Sequence, residues 1–367
     1  MKKIMSRMLL MLALTLASSV MAQTADWQKT WNETLAAAKK EGKVVVVGSP
    51  DPVMRQQIIP KFTARYGIPV EFIGGRSSEI AAKVRFERAA GIYSVDVYMA
   101  GSTTTATVLY PEKLIDPIKP LLITPEITNP SKWKRGKLTF MDPEEQYLLQ
   151  LFSTVETLMF INTDFVKPDE MRSVKDLLNP KWRGKIVTED PAATAGSGHN
   201  NAVILYQQMG PEFVQKLFID QKPIISSDRR QQADWLARGT YPLCLTCNGD
   251  NVRDLIKEGF KLQEVYGLKD IPSSLSAAPF ILTYANKAPH PNAARVFINW
   301  MAGKEAVDIW AINTSSVSLR ADADESSFDP NKIPRQGTKY HDDTNLKWLT
   351  VERPEVGKKV RALLKKP

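Results

Sequence analysis

The sequence predicts an α/β protein of two lobes built on largely parallel β-sheets, and three observations support this fold class. Short apolar runs alternate with helical patterns along the chain, which is the rhythm of α/β proteins. The length of 367 residues suits two domains better than one. A composition of 43% hydrophobic and 24% charged residues is sufficient for two hydrophobic cores and is not that of a disordered chain.

The first 22 residues are predicted to be a secretory signal peptide that is cleaved after Ala22. Lys2, Lys3 and Arg7 precede the apolar run Met8–Ala17, and small residues follow it. The run is shorter than the roughly 20 apolar residues of a membrane span, and the alternative is an uncleaved N-terminal anchor. No cysteine lies near the cleavage point, which argues against lipid attachment there. We therefore expect an exported protein located in the periplasm.

The charge of the exported chain favours small anionic partners. Removal of the signal peptide takes three positive charges away and lowers the formal net charge from +9 to +6. These charges are spread along the sequence, which argues against a nucleic-acid partner. The alternative is a basic surface that serves solubility alone. Only residues 358–366 are locally basic, and they are predicted to form an amphipathic helix with a solvated face.

The first block of the chain contains three strands that each end in a polar turn before a helix. The β-branched run KVVVVG predicts a buried strand, and Ile80 and Val84 share one face of a helix that ends at Gly91. The predicted strands are Lys43–Gly48, Val70–Ile73 and Asp96–Met99, and the first helix runs from about Val53 to Tyr66. The turns after the strands are rich in Gly, Ser and Thr.

A second block repeats this architecture after a long extended segment, Leu148–Asn162. A short helix near 174–178 precedes three further strands with polar ends, and a last strand and helix follow near the end of the pattern. The predicted strands are Gly184–Thr188, Tyr241–Thr246 and Phe280–Tyr284, and Ile224–Asp228 is predicted as a strand that runs into a helix cap. The predicted helices begin near residues 200, 229 and 292.

The repeated polar turns predict a ligand-binding edge in each lobe. In open α/β sheets ligands bind at the carboxyl ends of the strands, where helix N-termini present free N–H donors. The same Ser, Thr and Asp residues are also ordinary helix caps. Capping is the favoured interpretation of any single loop, and the recurrence of the loops favours binding.

The two cysteines, Cys244 and Cys247, lie at the end of a predicted strand. In a straight strand their Cα atoms would be roughly 10 Å apart, beyond the reach of a disulfide. A disulfide, which export permits, requires the strand to end before Cys247. With no second cysteine pair and no nearby histidine, zinc binding and thioredoxin-like chemistry lack their usual residues. The sequence favours an unpaired strand end over a disulfide.

Five segments between about residues 30 and 322 carry a resemblance to a known family. They are Leu35–Lys43, Phe86–Gly91, Asp176–Ile186, Ala288–Trp300 and Ser318–Arg320. With these segments in this order, the chain resembles the periplasmic substrate-binding proteins of ABC importers, in the extracellular solute-binding family that includes ferric-iron binders.

The resemblance implies two lobes that are joined by extended crossover segments and close over a ligand by hinge motion. The crossovers are predicted within Leu148–Asn162 and between Val265 and Phe280. The N-terminal lobe would comprise residues 23–150 plus 272–325 and the C-terminal lobe residues 151–271, with residues 326–367 a helical segment assigned to neither. The resemblance also implies a monomer without a cofactor or enzymatic activity that works with ABC permease membrane subunits.

Ferric members of this family bind their metal through a pair of adjacent tyrosines, and this sequence departs from that pattern. None of its ten tyrosines has a tyrosine neighbour, and only three histidines, at 199, 290 and 341, are present. No metal site is therefore predicted, and a ferric-iron or other metal cargo is the alternative function. A hydrolase is not supported, because the chain has no G-x-S-x-G, H-E-x-x-H or Walker sequence.

The predicted ligand is a small anionic organic solute, such as a carboxylate, phosphonate or phosphate ester. Guanidinium groups bind these anions in a bidentate manner, and helix N-terminal amides add neutral donors. For Arg229 and Arg230, the alternative is a salt bridge to Asp228 or Asp234. The predicted ligand-binding residues are Arg76, Ser77, Ser78 and Thr103 in the first lobe, Thr154, Thr194, Ser197, Gly198, Arg229, Arg230 and Asn248 in the second, and Tyr284.

Overall fold

The computed structural model describes residues 26–194 and 196–365, and of Ser77 and Ser78 only the backbone. The predicted signal peptide, residues 1–22, lies outside the described residues. Among the helices of the described chain, none combines the length and the apolar character that crossing a membrane requires.

The described strands are short. They are β1 (Val44–Gly48), β2 (Val70–Gly74), β3 (Val97–Ala100), β4 (Ile115–Asp116), β5 (Thr139–Phe140), β6 (Leu149–Gln150), β7 (Thr154–Glu156), β8 (Met159–Asn162), β9 (Ile186–Thr188), β10 (Ile224–Ile225), β11 (Leu243–Cys244), β12 (Leu262–Val265), β13 (Ser274–Ser276), β14 (Ile281–Ala285) and β15 (His341–Asp342). The long extended segment predicted over Leu148–Asn162 is thus three separate strands.

The helices alternate with these strands as the sequence predicts. They are α1 (26–41), α2 (Ile59–Tyr66), α3 (Ser77–Ala89), α4 (Ser102–Thr104), α5 (Pro125–Thr128), α6 (Ser197–Met209), α7 (Pro211–Gln215), α8 (Arg229–Ala237), α9 (Gly249–Lys257), α10 (Pro291–Ala302), α11 (Lys304–Thr314) and α12 (Arg353–Leu364). Single π-helical turns are Met54–Ile58, Thr105–Leu109, Lys216–Asp220 and Trp348–Glu352, and 3-10 turns are Lys119–Leu121, Pro130–Lys132, Pro168–Glu170, Val174–Leu178 and Pro180–Trp182.

The chain divides into two compact units. Unit 1 contains the described residues up to Phe152 together with Ala277–Ser327, and unit 2 contains Ser153–Ser276 together with the residues from Phe328 onward. The segment 272–276, which was predicted for the N-terminal lobe, lies in unit 2 because β13 pairs with β7 there. Of the C-terminal segment 326–367, which the sequence assigned to neither lobe, residues 326 and 327 lie in unit 1 and the described residues from Phe328 onward in unit 2.

Unit 1 contains a mixed sheet with the strand order β2-β1-β3-β14-β6-β5, and β4 pairs with β14. β1 is parallel to both β2 and β3, whereas β14 is antiparallel to β3, β4 and β6. The expectation of a largely parallel sheet is therefore wrong for the β14 half. β14 enters this sheet after the chain has passed through unit 2, and it runs in the opposite direction to β3.

Unit 2 contains a five-stranded sheet with the order β10-β9-β11-β8-β12 and a small sheet β15-β13-β7. In the five-stranded sheet β9 is parallel to β10 and β11, whereas β8 is antiparallel to β11 and β12. In the small sheet β13 is parallel to β15 and antiparallel to β7. Neighbouring residues along β11 face opposite sides, so Leu243 joins one buried apolar cluster with Ile161, and Cys244 joins a second with Phe160. Apolar side chains thus pack on both faces of this sheet.

The cysteine prediction is wrong, because Cys244 and Cys247 form a disulfide. β11 stops at Cys244, and the chain then turns so that the two Cα atoms are 5.7 Å apart. The strand predicted over Tyr241–Thr246 is therefore shorter than expected, which meets the one condition under which the sequence allowed this disulfide.

Candidate functional site

In unit 1 the carboxyl ends of three parallel strands lie side by side at one sheet edge, which we call the unit 1 rim. Gly48 at the end of β1 is in register with Gly74 of β2 and with Met99 of β3. The residues that follow these strands, Ser49, Gly75–Ser78 and Gly101–Thr103, therefore belong to the same edge. The three polar turns thus share one edge of the sheet, and ligand binding at this edge stays a prediction.

Arg76 is the cationic residue of the unit 1 rim. Arg76 is the N-cap residue immediately before α3, and its backbone N–H donates to Glu79 Oε2 over 2.8 Å. The Arg76 side chain forms no capping hydrogen bond with the helix. The Arg76 side chain is exposed and forms no ion pair with any described residue. Ser77 and Ser78 are the first two residues of α3. The start of α3 therefore combines a guanidinium group with helix amides.

Thr103 and Tyr284 differ in their relation to this rim. Thr103 is exposed in α4, and its carbonyl accepts a hydrogen bond from Thr107 Oγ1 at 2.8 Å. Tyr284 pairs with Val97 at the start of β3, whereas Ile281 pairs with the end of β3. Three residues of strand, roughly 10 Å, thus separate Tyr284 from the rim, and its prediction as a ligand residue is not supported. Burial raises the pKa of the Tyr284 hydroxyl.

In unit 2 the helices α6, α8 and α9 begin after the parallel strands β9, β10 and β11, and side chains of the protein already occupy their first amides. Glu189 accepts from Ser197 N–H at 2.9 Å and, at 3.4 Å, from Gly198 N–H. Asp228 accepts from the second and third residues of α8, and Asn248 does the same for α9. The Ser197 and Gly198 amides thus already have an internal acceptor, and the Asn248 side chain caps α9; a ligand-binding role for these three residues stays a prediction.

The Glu189 carboxylate also forms a salt bridge with Arg229. The Arg229 Nε–H donates to Glu189 Oε1 over 2.8 Å, and a terminal nitrogen lies 3.2 Å from Ser197 Oγ. The predicted alternative partner Asp234 instead pairs with Arg238. Arg229 thus neutralises an internal carboxylate at the start of α6.

The remaining predicted residues of unit 2 lie apart from this contact. Arg230 and Thr194 are exposed, and the Arg230 backbone N–H donates to Asp228 Oδ1 over 3.0 Å. Thr154 is 5% exposed in β7, where it is in register with Ser276.

A cavity of about 370 Å³ opens beside these helix starts within unit 2. Its volume falls in the range of small-molecule sites. Ser197 lines it, whereas Thr154, Thr194, Gly198, Arg229, Arg230 and Asn248 are absent from its described lining. The polar and charged side chains of the lining are Glu156, Thr157, Ser197, Asn200, Asn201, Thr246, Arg253, Glu264, Ser273, Ser274, Ser276, Lys332 and Asp343.

Two cationic and three acidic side chains give this cavity its charge pattern. Lys332 Nζ lies 3.3 Å and Arg253 Nη1 3.6 Å from Glu264 Oε1, so two cations share one carboxylate. Asp343 accepts a hydrogen bond from the indole N–H of Trp348 at 3.0 Å. The sequence reasoning missed these residues because they come from a helix, strands and a C-terminal segment that lie far apart in the chain.

Glu156 is exposed at the end of β7 and lines the cavity. Desolvation by the neighbouring protein atoms raises the pKa of its carboxyl group. Lys332 opposes the rise, whereas the negative charges of Glu264 and Asp343 add to it. No group of three or more His, Cys, Asp or Glu side chains suited to holding a metal ion occurs in the described residues.

His199 lies one residue before the lining residue Asn200 and is buried, with 5% exposure. Its Nδ1 has no hydrogen-bond partner in the described structure. Burial, together with the charges of Arg361 and Arg353, lowers the pKa of the His199 imidazole. The Pro191 backbone and the negative charge of Asp190 oppose this shift. His199 is part of α6, and Gly357 of α12 lies against its ring, so it is not a solvent-exposed loop residue.

We expect acid to destabilise unit 2 through His199. A base whose pKa is lowered in the folded state binds a proton at higher pH when unfolded, so stability falls as the pH falls below about 6.5. The free energy of unfolding, measured in urea at pH 7.5 and pH 5.5, should drop more in the wild type than in His199→Gln. Equal drops in both proteins would contradict this assignment.

Comparison with known proteins gives one family and one fold. The sequence model of the family described as bacterial extracellular solute-binding protein matches residues 57–333. Similar solved structures include the Trichodesmium protein IdiA (FutA) in complex with iron and citrate, with 16% identity and a TM-score of 0.63 over 88% of this chain and 98% of that chain. Iron-bound HitA from Pseudomonas aeruginosa gives 15% identity and a TM-score of 0.64 over 88% and 99%.

A third similar structure is the periplasmic binding protein AfuA from Actinobacillus pleuropneumoniae with fructose 6-phosphate bound. It shares 17% identity with a TM-score of 0.62, over 88% of this chain and 97% of that chain. Because the sequence identities are this low, the similarity to these structures shows a shared fold and not a shared ligand. The predicted fold class, an α/β protein with the two-lobe fold of periplasmic binding proteins, is confirmed.

Proposed function

Because this chain belongs to the bacterial extracellular solute-binding proteins, we propose that it captures a small anionic organic solute and delivers it to a membrane permease. The family consists of periplasmic solute-binding components of ABC transport. The anionic character of the solute, the binding residues and a monomeric, non-catalytic mode of action are the specific parts of this proposal.

The polar cavity of unit 2 is the observation that carries the proposal. It is lined by hydroxyl, amide and charged side chains at the carboxyl edge of a sheet, where α/β folds bind ligands. Asn200, Asn201 and Thr246 can satisfy solute hydroxyl or carbonyl groups without a charge. Asn201 already donates to the Leu245 carbonyl over 2.7 Å, which leaves its side-chain oxygen for a donor.

The anionic character of the solute is supported chiefly by the unit 1 rim. Arg76 offers a guanidinium without an ion pair among the described residues, next to the start of a 13-residue helix that lacks an N-cap side-chain bond. In unit 2, by contrast, internal acceptors occupy the corresponding amides. Arg76 is therefore our candidate for anion binding among the residues of unit 1.

Native mass spectrometry of the protein purified from its host tests the proposal directly. We expect a bound organic acid of defined mass, and titration calorimetry with inorganic phosphate, citrate and fructose 6-phosphate tests the charge class. A ligand-induced rise in melting temperature without turnover of the ligand would support a binding protein. A neutral or cationic bound molecule would contradict the anionic solute.

Arg76→Ala is expected to weaken binding of the anionic solute about 10- to 100-fold, because one charge-assisted bidentate contact is worth roughly 1.5–3 kcal/mol. Arg85→Ala is the matched control, since Arg85 lies on the same helix and pairs with Glu112. Both variants lose one positive charge, and only the first should lose affinity in calorimetry. Unchanged affinity of Arg76→Ala would remove Arg76 from the site.

Ferric iron is the second candidate cargo, because two of the similar structures contain iron. Against it stand the lack of adjacent tyrosines in the sequence and of a three-ligand metal cluster among the described side chains. Titration with ferric citrate, followed by metal analysis of the desalted protein, distinguishes the candidates. Stoichiometric iron retained after desalting would favour the ferric function over the organic anion.

A further inference from the structure

The C-terminal segment, residues 328–365, provides part of the cavity in unit 2. Lys332 and Asp343 both belong to the cavity lining. The family match ends at residue 333, so Lys332 lies inside the matched range, whereas Asp343 and the helix α12 lie beyond it. Residues on both sides of that bound therefore line the cavity.

Backbone hydrogen bonds hold this segment against the cavity. The Val155 N–H donates to the Lys332 carbonyl over 2.9 Å, which places Lys332 beside β7. β15 pairs with β13, and the Asp343 N–H donates to the Leu275 carbonyl over 3.2 Å. Lys332 and Asp343 thus occupy fixed positions on the wall that also contains Glu156.

The helix α12 packs against the first turns of α6, which contain the lining residues Ser197 and Asn200. An Arg353 guanidinium nitrogen donates to Asn200 Oδ1. One turn later Gly357 contacts the His199 ring, where an added Cβ would lie 2.9 Å from Nε2. This close approach explains a glycine inside a helix, since a side chain there would separate α12 from α6.

We propose that the C-terminal segment is a specificity element of the solute site. Lys332 and Asp343 select solutes by charge, and Arg353 is a positioning residue that orients Asn200. Lys332 offsets the negative charges of Glu264 and Glu156, so without it the lining would present three carboxylates against Arg253 alone. The charge selection rests on the proposed function, whereas the positioning of α6 does not depend on it.

Hydrogen exchange of the full-length protein, without any ligand, tests the positioning. Arg353→Met should raise exchange of the backbone amides of residues 199–204 at least 10-fold and leave those of α9 unchanged. Lys358→Met, an exposed site on the same helix, is the control and should change neither. If α6 keeps its protection in Arg353→Met, whether α12 stays folded or not, the positioning role is overturned.

Calorimetry with inorganic phosphate, citrate and fructose 6-phosphate tests the charge selection. For the probe that binds the wild type, Lys332→Met should weaken the affinity at least 10-fold, and Asp343→Asn should strengthen it several-fold. The exposed control Lys339→Met should leave the affinity unchanged. Wild-type affinity in both lining variants overturns the selection. If no probe binds the wild type, the anionic solute itself is contradicted, and the exchange experiment still decides the role of the segment.

Discussion

Gly198→Ala is expected to lower the free energy of unfolding by about 3 kcal/mol, the upper part of the range for forced overpacking. A Cβ at this position would lie 2.4 Å from the Glu189 carbonyl oxygen and 2.6 Å from its carbonyl carbon. These are backbone atoms of the loop after β9, which cannot rotate away as a flexible side chain does. Relief of the clash requires the loop to move, and that movement would break the contacts of Glu189 with Ser197 and Arg229.

Urea unfolding followed by circular dichroism measures this loss. Gly75→Ala is the matched control, because the nearest atom to its added Cβ would be Ile80 Cγ1 at an ordinary 3.5 Å and its φ is not in the left-handed region. The control should change the free energy of unfolding by less than about 0.5 kcal/mol. Equal free energies of unfolding for the two variants would show that the loop after β9 moves to accommodate the added methyl group at little cost, which contradicts the prediction.

Arg320→Met is expected to destabilise unit 1 by about 3–4 kcal/mol. Arg320 is fully buried, and its guanidinium donates to Asp322 Oδ1 at 2.9 Å and Oδ2 at 3.1 Å and to the Ala302 carbonyl at 2.9 Å. Asp322 keeps a counter-charge in Lys132, whose Nζ lies 3.1 Å from Asp322 Oδ2, but the Ala302 carbonyl and Asp322 both lose their hydrogen bonds to the buried guanidinium. Loss of several charge-assisted hydrogen bonds inside the protein costs several kcal/mol even when the intact ion pair adds little. Methionine retains most of the volume, so the loss reports the polar contacts.

The control for Arg320 is Arg135→Met, at an exposed position of the same unit. Calorimetric unfolding should show a transition at much lower temperature for Arg320→Met and one near the wild-type temperature for the control. A shift in Arg320→Met no larger than that of the control would mean that water replaces the lost contacts at little cost.

The strands and helices could be predicted from the sequence because their patterns are local. The β-branched run of β1, the Gly-rich turns after β2 and β3, and the Pro291 start of α10 each carry their own signal within a few residues. Parallel pairing of β1 with β2 and β3 then requires their carboxyl ends to meet at one edge. The unit 1 rim with Arg76 followed from these patterns alone.

The internal contacts at the predicted site in unit 2 could not be predicted from the sequence, for a physical reason. Polar residues at helix starts suit both a bound anion and an internal cap, and sequence spacing does not distinguish the two. The choice depends on Glu189, whose carboxylate reaches α6 and Arg229 only because β9 and β10 lie side by side. The disulfide was decided in the same way, by the turn that follows Cys244.

The sequence by itself determined the α/β class, the strand-turn-helix order and the edges at which a solute is expected, because hydrophobic period and turn chemistry act over short distances. Only the tertiary structure decided which polar groups remain available at those edges. The cavity joins Glu156 and Arg253 to Lys332 and Asp343, more than 75 residues later in the chain. Contacts between such distant segments depend on how the strands pair and the helices pack, and no local pattern records them.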